Sequence, residues 1–349
     1  MNKAQSVDIG AALAPYLAPV DAALRQVVQT PSPAVTGLYG MLRYHLGWAD
    51  RDLTPVEGRM GKRLRPAFCL LSCDAVGGDW RRAVPAAVGL ELTHNFSLIH
   101  DDIEDRDRER HGRATVWTVW GEAHAINAGD AMFVLARQEI GRLVDHGVPP
   151  GVTLAVLQSY DAACLAITEG QFMDMQFEER LDVSEAEYLR MVEGKTAALL
   201  SAATRMGAQI AGVETALVER MARFGRLLGL AFQMTDDILG IWGDPHRTGK
   251  PAANDIRRRK KSLPVAFAFE TAQGTTAERL RTVFGKRDVT EDDVAAVLEI
   301  LSGLGARAHA ERLADQFLQQ ALEGLAPVAD TPAGAILTAL TRSLAQREH

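Results

Sequence analysis

The strongest constraint in this sequence is a predominantly apolar stretch, Val84 to Ile99, whose helical spacing runs straight into Asp101-Asp-Ile-Glu-Asp-Arg-Asp107. A helix of that kind buries its length and opens at an acidic mouth. Helical spacing places Asp101 and Asp105 one turn apart on one face, with Asp102 beside them, so carboxylate repulsion calls for a cation. Magnesium suits that demand, with manganese as the alternative ion. It takes a few carboxylate oxygens, keeps several waters and turns its remaining charge toward phosphate. Arg110 and Arg113 follow within a turn or two, and guanidinium groups pair bidentately with phosphate. The stretch reads as half of a magnesium-diphosphate site.

Most charge runs are solvated helix ends. A second acidic pair in the same setting argues otherwise. Phe224 to Trp242 is apolar at helical spacing through Phe224, Leu227, Leu228, Ala231, Met234, Ile238 and Ile241, and it carries Gln233, Asp236 and Asp237 near its end. Two apolar helices with paired carboxylates suggest one cleft lined from opposite walls.

The 349 residues are enough for one large core, and a single domain over 1–349 is expected, with 1–10 as a mobile tail. Ala, Leu, Arg and Glu dominate and alternating β-branched runs are scarce, which predicts an all-α fold with no need of a sheet. The net charge of -7 argues against a nucleic-acid partner, because the basic residues form short clusters in an acidic chain. Cys69, Cys73 and Cys164 lie in apolar helical surroundings without metal-ligand spacing and read as buried free thiols of a reducing cytoplasm. No apolar run reaches the ~18 charge-free residues of a spanning helix, so no stable membrane insertion is expected.

Lys62, Arg63 and Arg65 precede the apolar helix Ala67 to Val76, where helix-end amide groups would add to the attraction for an anion. Asn127-Ala-Gly-Asp130 within a helical pattern suggests close packing at Gly129. Val152 to Phe177 is a long helix with Gln171 and Asp174 a turn apart. Glu185 to Met206 follows, and its Gly194 costs ~1 kcal/mol in a helix interior, so something packs closely or the helix kinks beside Lys195. Gly243 to Pro251 is a loop that carries Lys250, and the basic run Arg257 to Lys261 follows it. Beyond Thr276 three or four amphipathic helices carry nothing catalytic. A P-loop is absent, and His94 and His100 do not share the helical face a two-His metal site needs.

In their order, Gly61-Lys-Arg-Leu-Arg-Pro66, Asp101-Asp-Ile-Glu-Asp105, Gly170-Gln-Phe-Met-Asp174, Lys195-Thr196, Gln233 to Asp237, Lys250 and Asp255 to Pro264 resemble the trans-isoprenyl diphosphate synthases, or polyprenyl synthetases, over nearly the whole chain. The resemblance implies a single-domain helical bundle of the type I isoprenoid synthase fold around a deep central cavity, usually as a homodimer. It also implies a magnesium-dependent prenyltransferase whose substrates are isopentenyl diphosphate and an allylic diphosphate. Loss of the allylic diphosphate leaves a carbocation that the isopentenyl double bond attacks, and the departing diphosphate takes the proton.

By position the resemblance makes Asp101, Asp105 and Asp236 metal ligands supported by Asp102 and Asp237. It gives Arg110, Lys195, Gln233, Lys250 and Lys260 to the allylic diphosphate, and Lys62, Arg65 and His94 to isopentenyl diphosphate. Lys195, Thr196 and Gln233 are the catalytic set, the last two through dipoles toward the cation. His111 stands where the family usually has a second Arg and belongs to the isopentenyl diphosphate site, where a neighbouring phosphate would raise its pKa. Gly240 stands for a usual Asp, Met60 for a Gly, Ala114 for a Pro and Arg259 for a Gly.

Phe96 and Ser97, about one turn before Asp101, would floor the tail cavity. A single aromatic beside a small residue resembles synthases that stop at twenty carbons, with fifteen the alternative. A terpene cyclase of the same fold and a non-catalytic subunit of a heteromeric synthase are the competing readings. The second diphosphate cluster at Lys62, Arg65 and His94 argues against the first, and retention of both acidic pairs against the second.

Overall fold

The computed structural model describes residues 8–57, 61–245 and 252–345. Lys250 and Met60 lie outside them, as do residues 1–7 of the expected tail. At the described end of that tail Asp8 caps the first helix by accepting from the Ala11 amide, so Ile9 and Gly10 are helical rather than mobile. The chain divides into two compact units, the first comprising Met1–Asp161, Ala203–Val218 and Thr331–Leu337, the second the remainder. Both are built from helices.

The first unit contains α1 (Ile9–Val27), α2 (Thr36–His45), α3 (Leu64–Ala75), α4 (Val84–Glu104), α5 (Val116–Trp120), α6 (Glu122–Gly141) and the start of α7 (Pro150–Glu179). α4 is its axis: Val84 to Thr93 are all buried, and α6, α3 and α1 pack around it. The approach of α6 depends on two glycines. A Cβ at Gly89 would lie 2.4 Å from Ile140 Cγ1, and one at Gly129 would lie 2.2 Å from His100 Nε2. The close packing expected at Gly129 is therefore made by the His100 ring.

One departure from pure helix follows α4. β1 (Glu109–Arg110) and β2 (Arg113–Ala114) form a hairpin closed by His111 and Gly112, both at positive φ (53° and 74°) as a type I′ turn requires. Gly121, φ 88°, separates α5 from α6. The three cysteines are buried free thiols. α7 is long and apolar enough to cross a membrane by length and composition, and a third of that stretch (33%) is buried.

The second unit contains α8 (Glu185–Val192), a π-helical turn (Glu193–Ala197), the start of α9 (Ala198–Ala211) and most of α10 (Thr215–Trp242). α11 (Asn254–Arg257), α12 (Leu263–Thr271), α13 (Gly274–Phe284), α14 (Glu291–Gly303), α15 (Ala306–Gly324) and part of α16 (Pro332–Ala345) complete it. All seven apolar positions read on α10 are buried, from Phe224 at 0% exposure to Ile241 at 2%. Met234 and Ile238 join Tyr188, Val192, Ala197 and Leu263 in one core cluster. The oddity at Gly194 resolves into both of its expected causes: the helix widens into a π-turn, and a Cβ on Gly194 would lie 2.6 Å from the Ala166 carbonyl oxygen on α7.

Candidate active site

The acids of the first unit sit at the C-terminal end of α4. The helix dipole is negative there, so this end disfavours acids and favours a bound cation. Asp101 is half-buried and Asp105, the C-cap, is exposed. Asp102 differs from its expected place beside them. It is 1% exposed, turned inward, and accepts from Arg110 Nε at 2.7 Å, while its Oδ2 is buried with no hydrogen-bond partner among the described residues. Burial pushes the Asp102 carboxyl up to about 6 against the pull of Arg110.

Asp102 borders a cavity of about 790 Å³ that lies wholly within the first unit. His94 and His111 also line it, together with Arg110. Lys62 is exposed on the segment leading to α3. Arg65, in the first turn of α3, is near enough that its charge, after burial, pushes the His94 imidazole well below its usual range. Sequence reasoning missed most of the other lining. Glu91, Asn95 and Leu98 face the cavity in line with Asp102, and the spacing of four, three and four residues sets three polar groups and one leucine along one side of a buried helix. That periodicity was the available signal. Two expected cations are tied into the protein, Arg63 through all but one of its nitrogens. Arg63 pairs with Glu91 (2.6 Å) and Asp21 (3.2 Å), and Arg113 donates to the carbonyls of Tyr44 (3.1 Å) and Ala49 (2.7 Å) over the Tyr44 ring.

In the second unit the two acids of α10 separate in role. Asp237 is fully buried and accepts four donors: Tyr188 Oη at 2.5 Å and the Leu263 amide at 2.8 Å on Oδ2, Gln233 Nε2 at 3.1 Å and Lys260 Nζ at 3.3 Å on Oδ1. With its oxygens so occupied it ties α10 to α8 and to the start of α12. Asp236, one residue earlier, is half-buried. Thr196 Oγ1 donates to Gln233 Oε1 at 2.9 Å, so a chain of hydrogen bonds runs from the π-turn through Gln233 to Asp237. Lys195 reaches Asp174 at 2.5 Å. Burial pulls the Lys260 ammonium pKa down, but Asp237, Asp255 and Asp174 together hold it above its usual value. Arg110, Lys195 and Lys260 thus each rest on one carboxylate, which fixes their direction before any anion arrives.

Among the described residues no three acids or imidazoles converge into a metal cage. Magnesium does not need one, because it is held by one or two carboxylates, waters and substrate phosphates. The half-exposed pair at the negative end of α4 fits that requirement.

The model of one family, polyprenyl synthetase, matches residues 53–301. The chain is 41% identical over 317 residues to a (2E,6E)-farnesyl diphosphate synthase of Mycobacterium bovis, covering 89% of this chain and 86% of that protein. It is 38% identical over 308 residues to a geranylgeranyl diphosphate synthase of Mycobacterium tuberculosis, covering 88% and 86%. The crystal structure of a polyprenyl synthetase from Streptomyces coelicolor superposes with a TM-score of 0.87 at 36% identity, over 97% of this chain and 99% of that one. The chain belongs to the polyprenyl synthetase family. Its all-α fold is that of the isoprenoid synthases.

Membership turns three departures from the usual family residues into structural questions. His111 occupies the first position of the hairpin turn in left-handed backbone, so it is presented to the cavity mouth by the turn itself. Arg259 has φ 54°, the conformation that favours the usual glycine, and it holds the strained turn by donating to the Lys286 carbonyl at 2.7 Å. A side chain at Gly240 would have to displace the Asp255 carboxylate, because a Cβ there would lie 2.3 Å from Asp255 Oδ2. The carboxylate of Asp255 therefore stands over the place left by the missing acid.

Proposed function

We propose that the protein condenses isopentenyl diphosphate with allylic diphosphates, head to tail, to give a short-chain trans-prenyl diphosphate. Geranylgeranyl diphosphate is the preferred product and farnesyl diphosphate the next. The observation that carries this reading is the cavity of the first unit, where His94, Arg110 and His111 meet a carboxylate with an unsatisfied oxygen beside the acidic end of α4. An additional diphosphate pocket of this kind suits a condensing enzyme and has no use in a cyclase. The farnesyl and geranylgeranyl diphosphate synthases among its relatives support the same class.

In this reading residues 1–349 act as one polyprenyl synthetase domain in the cytoplasm. Asp101, Asp105 and Asp236 are the magnesium ligands, while Asp102 and Asp237 orient Arg110, Gln233 and Lys260. The bound ion supplies positive charge that stabilises the leaving diphosphate. Arg110, Lys195, Gln233 and Lys260 share that anion, with Lys250 assigned by sequence alone. Lys62, Arg65, His94 and His111 hold isopentenyl diphosphate. Thr196 is fixed as a donor to Gln233, so its oxygen lone pairs and the Gln233 carbonyl turn partial negative charge to the allylic cation. No protein nucleophile is required. The protein is proposed to act as a homodimer, which would cover the exposed Ile126 and Val134 of α6 and Leu165 and Phe172 of α7.

Product analysis tests the reading: the purified protein is mixed with magnesium, labelled isopentenyl diphosphate and dimethylallyl, geranyl or farnesyl diphosphate in turn. Label ending at twenty or fifteen carbons supports it. Release of a hydrocarbon or alcohol from the allylic substrate alone replaces it with a cyclase.

A further inference from the structure

The cavity of the first unit holds a third imidazole. His45 is the last residue of α2, and the chain beyond it is held in place: Trp48, 3% exposed, lies between Arg25 (4.6 Å) and Arg63 (5.8 Å), and the Asp50 carboxylate accepts from the amides of Asp52 and Thr54. The imidazole at the head of this segment lines the cavity beside Asn95. Asn95 Nδ2 spends its two hydrogens on the Glu91 carbonyl (2.7 Å) and Glu91 Oε1 (3.1 Å). Only Asn95 Oδ1 is left, so toward the His45 ring Asn95 can only accept, and the ring is open to a ligand of the cavity.

The same network points to what that ligand is. Arg63, 5% exposed and bordering the cavity, has a buried Nη2 without a hydrogen-bond partner although its other nitrogens are paired. An orphaned guanidinium nitrogen asks for an anion. We propose that His45 is a further ligand of the diphosphate that enters this cavity, acting beside His94 and His111. The inference rests on the proposed reading of the cavity as the isopentenyl diphosphate site. His45 also supplies an additional ring donor near the position where the family usually has an Arg.

A charge-assisted hydrogen bond from His45 to phosphate requires a second ring proton. With no diphosphate beside it the ring is neutral, pushed down to about 3 by burial and then by Arg110, His111 and Arg113 of the hairpin segment, while Asn95 pulls up. His94 faces it from α4, and Glu91, tied to Arg63, lies behind Asn95. A diphosphate offsets Arg110 and Arg113 of the hairpin and adds its own negative charge, so the proton arrives with the ligand. Binding of isopentenyl diphosphate therefore takes up protons and weakens as pH rises.

Calorimetry of the whole protein with isopentenyl diphosphate, in buffers of differing ionisation enthalpy at pH 6.5 and 7.5, tests this. The wild type is expected to take up protons. His45→Gln, which keeps a donor for Asn95, is expected to bind about tenfold or more weakly with reduced proton uptake, and to raise KM for isopentenyl diphosphate but not for the allylic substrate. Unchanged affinity and proton uptake in His45→Gln overturn the assignment. A wild type that binds no isopentenyl diphosphate overturns the reading of the cavity itself. The wild-type ring gives an independent answer: its ¹⁵N resonances are expected to move from neutral to cationic on titration with isopentenyl diphosphate, and neutral resonances at saturation overturn the proposal.

Discussion

Replacing Gly170 by alanine tests whether the π-turn positions Lys195 and Thr196. A Cβ at Gly170 would lie 2.2 Å from the Lys195 amide nitrogen and 2.8 Å from both Gly194 C and Lys195 Cα. These are backbone atoms, so no side chain can swing away, and relief requires the π-turn and α7 to part by about 1 Å to reach ordinary contact. Overpacking of that kind costs ~1–3 kcal/mol. The functional loss exceeds it. A displacement of about 1 Å in positioning groups lowers turnover about 100-fold, and here it carries off Thr196 from Gln233 and Lys195 from Asp174 together. Urea melts and steady-state condensation rates measure the two effects. Gly151→Ala is the control, since no atom lies within 4 Å of a Cβ there, and it should leave both unchanged. Wild-type stability and turnover in Gly170→Ala would refute the reasoning.

Three further outcomes are expected. Phe96→Ala lengthens the product, and because the Phe133 ring of α6 stands 5.1 Å behind Phe96, the Phe96→Ala/Phe133→Ala double variant lengthens it further; an unchanged chromatogram would remove Phe96 as the floor. Asp101→Ala, and chelation of the wild type by EDTA, abolish turnover, with magnesium restoring only the latter; substantial residual activity in the variant would sink the metal assignment. The folded-state pKa of His45 lies far below its unfolded value, so the unfolded chain binds the extra proton and stability falls as pH drops below about 6.5. His45→Gln should therefore lose about 1.4 kcal/mol less than wild type between pH 7.5 and 5.5 in denaturant melts; equal losses would contradict it.

The long elements were legible because burial imposes a period. α4 and α10 announced themselves by apolar spacing, and both glycines singled out within helices, Gly129 and Gly194, mark close packing. Direction around a helix was harder to read. Asp101 and Asp102 are adjacent, yet one faces outward and the other inward to Arg110, a difference of about 100° that composition does not show. The same holds for Asp236 and Asp237, where four donors from distant parts of the chain decide which acid is structural. The basic run at Arg257 to Lys261 reads in the sequence as cover for a charged site, without showing which of its cations are tied down. In the fold Arg257 pairs with Glu291, Lys260 with Asp237, and Lys261 is buried with its ammonium donating to the Glu178 and Arg259 carbonyls. His45 escaped notice because nothing local marks it. It reaches the cavity only in the fold, where it lines it together with Asn95, fifty residues later in the chain.

The account turns on which carboxylates hold the metal and where the second diphosphate lies. An anomalous difference map from crystals grown with manganese, an allylic thiolodiphosphate and isopentenyl diphosphate measures both at once. Peaks on Asp101, Asp105 and Asp236, with a diphosphate against His94 and His111, are the predicted result. Manganese bound elsewhere, or a cavity that stays without diphosphate while the allylic site is filled, would contradict it.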